Sequence, residues 1–182
     1  MNMTLSHAFT LLNDEFPHVL EFGVYKGQTI EQIRSSLSIE KFQVFGFDSF
    51  EGLPEDWVGT DLTKGFFSTN RAVPNIKDVD FYVGWFKDTI PEYMQSANAI
   101  SLVHVDCDLY SSTIEILYNL TPWFRPGTII VFDEWYYNHS DIEQNRQHEQ
   151  KAFFEWVNDK NVSYEILPEI ECERRIVKIL DI

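Results

Sequence analysis

The sequence predicts an α/β protein built on a doubly wound, mostly parallel sheet of seven strands with an antiparallel terminal strand. Three observations predict it. Short apolar runs alternate with amphipathic segments along most of the chain, the pattern of strand, crossover helix and strand. The first run, His18 to Phe22, leads into a turn with two glycines, Gly23-Val24-Tyr25-Lys26-Gly27, and then into helical spacing. Later runs end in acids, at Asp48, at Asp106-Cys107-Asp108 and at Asp133-Glu134, and ligands of such sheets sit outside the carboxyl ends of the strands.

Leu5, Phe9 and Leu12 recur at helical spacing, which predicts a helix over Thr4 to Glu15, and Pro17 marks the break before the first strand. His18 to Phe22 is strand one, and Gln28 to Leu37 is a helix with Ile30, Ile33 and Leu37 on one face. Lys41 to Phe47 is strand two. Ser49 to Lys77 carries Gly52, Pro54, Gly59, Gly65 and Pro74 and little periodicity, so it reads as a long irregular loop with at most short helices. Loops of this length in compact domains are often functional, and Lys64 to Arg71 within it reads as a lid. Asp80 to Gly84 is strand three, and a helix follows over about Lys87 to Ala97. Ile100 to Val105 is strand four, Ser111 to Trp123 a helix, Pro126-Gly127 a stop, and Thr128 to Phe132 strand five. Gln147 to Lys160 is a helix, and Val162 to Leu167 with Arg174 to Leu180 form two closing strands around an acidic, solvated turn. Five βα units and a terminal strand pair give a Rossmann-like doubly wound sheet.

The 182 residues, 44% hydrophobic and 15% aromatic, suffice for one domain with a substantial core, and one domain over 1–182 is expected. A formal charge of −15, from 29 acidic against 14 basic residues, repels phosphate backbones and anionic headgroups, which disfavours nucleic-acid and membrane partners. Cys107 and Cys172 lie far apart with neither CxxC nor Cys/His ligand spacing, which fits a reduced, cytoplasmic protein without a disulfide framework or zinc site. The N-terminus lacks the basic region and cleavage site of a signal peptide, and no run approaches the roughly 18 apolar residues of a membrane span.

The glycine turn is not G-x-G-x-x-G. A dinucleotide pyrophosphate needs a second glycine where Val24 and Tyr25 stand, so NAD is disfavoured. A nucleoside joined to an amino acid, as in S-adenosylmethionine, has no pyrophosphate. Glu21 or the loop amides can hold its ammonium and carboxylate, Thr29 offers a hydroxyl, and Asp48, 21 positions after Gly27, accepts ribose hydroxyls. The alternative is a glycine turn that only packs strand on helix.

Adjacent parallel strands place their ends about 5 Å apart, so Asp106, Asp108, Asp133 and Glu134 crowd one rim. Like charges at short range raise each other's pKa, and such crowding calls for a cation or protons. Oxygen-only ligands favour a hard ion, Mg²⁺ first, with Ca²⁺ or Mn²⁺ behind it. Alternatively, some of these acids cap the helices that follow.

HVLEFGVYKGQT, VFGFDSFEGLPE, YVGWFKDTIP, LVHVDCDLYSST and PGTIIVFDEWYY, in this order and spacing, resemble the macrocin O-methyltransferase family. Those are class I S-adenosylmethionine enzymes that methylate sugar hydroxyls on natural products. The likeness runs from about His18 to Val131 and more weakly to the C-terminus. It implies the class I methyltransferase fold, S-adenosylmethionine as cofactor, Mg²⁺ on Asp106, Asp133 and Glu134, and Asp108 as general base. The family's acidic pair is usually Asp-Asp, where this chain has Asp133-Glu134. Its members also carry a longer region before strand one than the 17 residues here.

The expected acceptor is a small molecule with a hydroxyl, a sugar or another vicinal diol, because a second hydroxyl on one ion fixes orientation. Ser49, Phe50, Trp85, Phe86 and Asp106 complete the candidate cofactor contacts, and the aromatic ones either sandwich adenine or pack the core. Tyr110, Trp135, Tyr136 and His139 are candidate acceptor contacts, with His139 also an alternative base. His104, inside strand four, reads as a satisfied core histidine. Competing readings are a metal-independent methyltransferase, a nucleotide-binding oxidoreductase and a non-catalytic cofactor module. A homo-oligomer is compatible with all of them.

Overall fold

The computed structural model describes residues 2–136 and 147–182. Its seven strands are β1 (His18–Phe22), β2 (Gln43–Asp48), β3 (Val79–Val83), β4 (Ile100–Val105), β5 (Ile129–Phe132), β6 (Ser163–Ile166) and β7 (Arg175–Asp181). The helices are α1 (Met3–Ala8), α2 (Gln28–Ser36), α3 (Phe86–Tyr93), α4 (Tyr110–Leu120) and, last among the described residues, α5 (Glu149–Lys160). The sheet order is β3-β2-β1-β4-β5-β7-β6. Strands β1 to β5 run parallel, and β7 runs antiparallel to both β5 and β6. From β1 the chain winds outward to β3, then crosses back to place β4 on the other side of β1. This reversal opens a crevice at the carboxyl ends of β1 and β4, where doubly wound sheets bind ligands.

Every residue of β1, β4 and β5 is buried, as expected for strands covered on both faces, and that is why they read as mostly apolar runs. Their side chains alternate between two cores. Leu20, Phe22, Phe47, Val103, Val105, Ile130 and Phe132 pack with Ile90 of α3, Ile116 and Leu120 of α4, and Phe153 and Trp156 of α5. Val19, Val44, Leu102, Ile129 and Val131 pack with Leu5 and Ala8 of α1 and Ile30 and Ile33 of α2. Each fully buried side chain of this size is worth roughly 1.5–3 kcal/mol, so the sheet is held from both sides.

Three expectations need correction. The β2–β3 connection, residues 49–78, contains no helix, as the reading of Ser49 to Lys77 as an irregular loop expects, but that leaves β2 without a crossover helix and the count of five βα units one too high. The loop is nonetheless built, with Leu53 and Trp57 packed on Leu109 and flanked by Leu62 and Phe67. The N-terminal helix is shorter than its apolar spacing suggests: it tightens into a 3-10 turn over Phe9–Leu11, and Leu12 is extended. The acidic turn before β7 is more than solvated surface. Glu171 Oε2 accepts the N–H and the hydroxyl of Thr4 at 2.9 and 2.8 Å, which pins α1 to the sheet. No helix among the described residues is long and apolar enough to cross a membrane.

Candidate active site

A cavity of about 630 Å³ opens at the β1/β4 crevice, within the usual size of a small-molecule pocket. Its floor is the turn after β1. Gly23 has φ +94°, and a Cβ there would lie 1.7 Å from the carbonyl oxygen of Asp106, so this residue lets the ends of β1 and β4 touch. Asp48, at the end of β2, ties the turn to the next loop. Its Oδ2 accepts the N–H groups of Val24 and Tyr25 at 2.9 and 2.7 Å, and its Oδ1 accepts that of Phe50 at 2.7 Å. A carboxylate has about four acceptor positions, so Asp48 keeps capacity for a hydroxyl from the cavity it lines.

Gly23, Tyr25, Thr29, Asp48 and Ser49 line this cavity on the β1/β2 side, and Trp85 and Phe86 after β3. Asp106, Asp108 and Glu134 line it beyond β4 and β5, and Lys64 and Phe67 of the long loop close over it. Other candidates lie elsewhere. Gly27 packs beneath the long loop, where a Cβ would meet Pro74 and Ile76 at 2.9 Å. Phe50 is buried in the core on the α1/α2 face. Tyr110 donates its hydroxyl to Glu155 at 2.6 Å. Trp135 and Tyr136 line a separate cavity of about 460 Å³. His139 falls outside the described residues.

Glu21 is fully buried beneath the floor and does not reach the cavity. It is the register partner of His104 on β4, and both side chains point to the α1/α2 face. His104 donates from Nδ1 to Glu21 Oε1 at 3.0 Å and from Nε2 to Asp133 Oδ1 at 3.4 Å. Burial alone would lower the pKa of this imidazole, but carboxylates at both nitrogens push it up to about 10, so the ring is the cation of the pair. Asp133 also accepts from Arg174 Nε at 2.5 Å and Nη2 at 3.1 Å. Burial would raise its pKa, yet hydrogen bonds from His104 and Arg174 hold it well below the usual carboxylate range. His104 is thus a satisfied core histidine, and the Asp133 carboxylate faces protein cations rather than the cavity.

The acids that do converge are Asp106, Asp108 and Glu134, each with a carboxylate oxygen within 4.8 Å of the others. Neither α4 nor α5 has a side-chain cap hydrogen bond, so these acids are not spent as helix caps. Burial and the field of Asp133 push the Asp106 carboxyl up and that of Asp108 up to about 7. Burial, then Asp106 and Glu149, push Glu134 up. Glu134 Oε2 is buried without a hydrogen-bond partner among the described residues. Three crowded carboxylates with an open oxygen suit a hard cation, and the His104 ring also lies within 4.8 Å of an Asp106 oxygen.

Sequence reasoning missed Glu149, the first residue of α5, fully buried behind Glu134. Its only signal was an acid at the start of an amphipathic helix, where exposed acids are common.

Residues 20–135 match a family described as a methyltransferase domain. The chain is 32% identical over 148 residues to the 8-demethyl-8-(2,3-dimethoxy-alpha-L-rhamnosyl)-tetracenomycin-C 4'-O-methyltransferase of Streptomyces olivaceus, covering 69% of this chain and 56% of that one. It is 28% identical over 138 residues to the demethyldecarbamoylnovobiocin O-methyltransferase of Streptomyces niveus, covering 64% and 52%. The chain thus spans about half the length of these relatives. In fold it resembles the crystal structure of a calicheamicin methyltransferase, with a TM-score of 0.76 at 20% identity over 97% of this chain and 77% of the other.

Proposed function

Because the chain belongs to the methyltransferase-domain family, matched over residues 20–135, we propose that it moves the methyl group of S-adenosylmethionine to a hydroxyl of a sugar or another vicinal-diol small molecule, with a hard divalent cation, in the manner of the macrocin O-methyltransferases. The observation that carries this reading is the meeting of Asp106, Asp108 and Glu134 at the cavity, within 4.8 Å of one another and beside the Gly23 turn. Sugar-directed O-methyltransferases among the relatives support the acceptor class.

The residues present fit both groups. S-adenosylmethionine supplies an electrophilic methyl on sulfur. The spare acceptor capacity of Asp48 suits its ribose hydroxyls, and Trp85 or Phe86 its adenine. A divalent cation held by Asp106 and Glu134 supplies Lewis acidity, which an alcohol needs because a neutral-pH carboxylate is far too weak a base to ionise it unaided. Asp108 lines the same cavity, and its carboxylate accepts the hydroxyl proton. Asp133 steadies the end of β5 through Arg174 and His104, so the cation site assigned here rests on Asp106 and Glu134 without it.

Thermal unfolding tests the cofactor. A ligand at 100 times its dissociation constant stabilises the folded state by about 2.7 kcal/mol. For a chain of this size that is a rise of roughly 5–10 °C in the midpoint. S-adenosylmethionine and its demethylated product are expected to give it, and NAD to give none. A shift with NAD alone would replace the methyltransferase reading with an oxidoreductase one.

A further inference from the structure

We infer that Glu149 is a positioning residue of the cation centre, fixing the backbone that carries Glu134 through a buried hydrogen bond. The inference rests on the cation reading given above and extends it to a residue outside the cavity wall.

The start of α5 is attached to the chain after β5 by two side chains in succession. Glu149 Oε2 accepts the N–H of Glu134 at 3.1 Å, and Gln150 Nε2 donates to the carbonyl of Trp135 at 3.0 Å. Both side chains are buried, with Glu149 at 0% exposure. Just before them, His148 Nε2 donates to the carbonyl of Val58 at 3.0 Å, which ties the long loop to the same helix start. One helical turn therefore holds both the peptide that carries Glu134 and the loop above the cavity.

The clamp needs an acceptor oxygen at this buried position, which the Glu149 side chain supplies. Glu149 Oε1 has no hydrogen-bond partner among the described residues. Burial, then Asp108, Asp133 and Asp106, push its carboxyl up. Glu149 is not in the close group formed by Asp106, Asp108 and Glu134, so its place is behind the site rather than on the ion. Outer groups of this kind orient the ligating carboxylate and tune affinity.

Glu149→Ala removes the acceptor and Glu149→Gln keeps it, because the amide oxygen still accepts the Glu134 N–H. Binding of Mn²⁺, followed by the paramagnetic resonance signal of the free ion, is expected to weaken about 10–100-fold in Glu149→Ala and to be restored in Glu149→Gln. The midpoint rise given by S-adenosylmethionine is expected in both variants. Unchanged Mn²⁺ affinity in Glu149→Ala, or equal weakening in both variants, would overturn the inference alone. No Mn²⁺ uptake by the unsubstituted protein would overturn the cation reading and this inference with it.

Discussion

Asp108→Asn is expected to lower kcat by about 10²–10⁴-fold, the range that positioned general-base catalysis contributes, while the thermal shift given by S-adenosylmethionine is retained. Asparagine has nearly the shape of aspartate and cannot take a proton. Asp108 has φ +66°, a left-handed conformation that asparagine adopts as readily as aspartate, so the variant has no backbone reason to misfold. The pH profile gives a second readout. A base works once deprotonated, so kcat/KM rises with pH through the pKa of Asp108. Burial and Asp133 place that pKa at about 7 without a cation, and a cation on Asp106 and Glu134 favours the charged form. The rising limb is therefore expected at or below about 7 and is expected to vanish in Asp108→Asn. Near-normal turnover in that variant would remove the proton-accepting role.

Gly23→Ala is expected to destabilise the fold by roughly 2–5 kcal/mol and to abolish the cofactor's thermal shift. About 1–2 kcal/mol comes from forcing a Cβ into left-handed backbone, and about 1–3 kcal/mol from overpacking. The contact matters more than the space: the new Cβ would stand 1.7 Å from a backbone oxygen, that of Asp106, which cannot rotate away. Relief requires the ends of β1 and β4 to separate, and those ends form the crevice. The midpoint is expected to fall by roughly 4–20 °C for a chain of this length. Gly27→Ala is the control. It has φ +84°, but only side-chain carbons of Pro74 and Ile76 lie at 2.9 Å, so a smaller loss with cofactor binding retained is expected. Equal losses in the two variants would mean that backbone conformation, not the β1/β4 contact, is what Gly23 provides.

Strands buried on both faces were plain in the sequence. His18 to Phe22 and Ile100 to Val105 coincide with β1 and β4, because a strand covered on both sides is mostly apolar, here with the buried polar pair Glu21 and His104 as partners. The convergence of the strand-end acids was legible for the same reason, since adjacent parallel strands end side by side. Which acids face the ligand was not. Consecutive residues of a strand point to opposite faces, and Asp133 and Glu134, the two residues just past β5, part in the same way. Glu134 reaches the cavity, and Asp133 continues the Val131 face toward Arg174, a residue some 40 positions further on. Glu21 fails as a cofactor contact by the same alternation, because it lies between Leu20 and Phe22 and faces His104. Glu149 was hidden because its partner, the N–H of Glu134, is brought to it only when α5 docks on the sheet.

Cation-assisted O-methylation by Asp106, Asp108 and Glu134 is tested most directly by following labelled methyl from S-adenosylmethionine into a panel of diol-bearing sugars and phenols, with Mg²⁺ and then with EDTA. The predicted result is one acceptor class that gains a methyl group on oxygen, with transfer lost on chelation and restored by excess Mg²⁺. Transfer that proceeds equally in EDTA, or label that arrives on nitrogen or carbon, would contradict it.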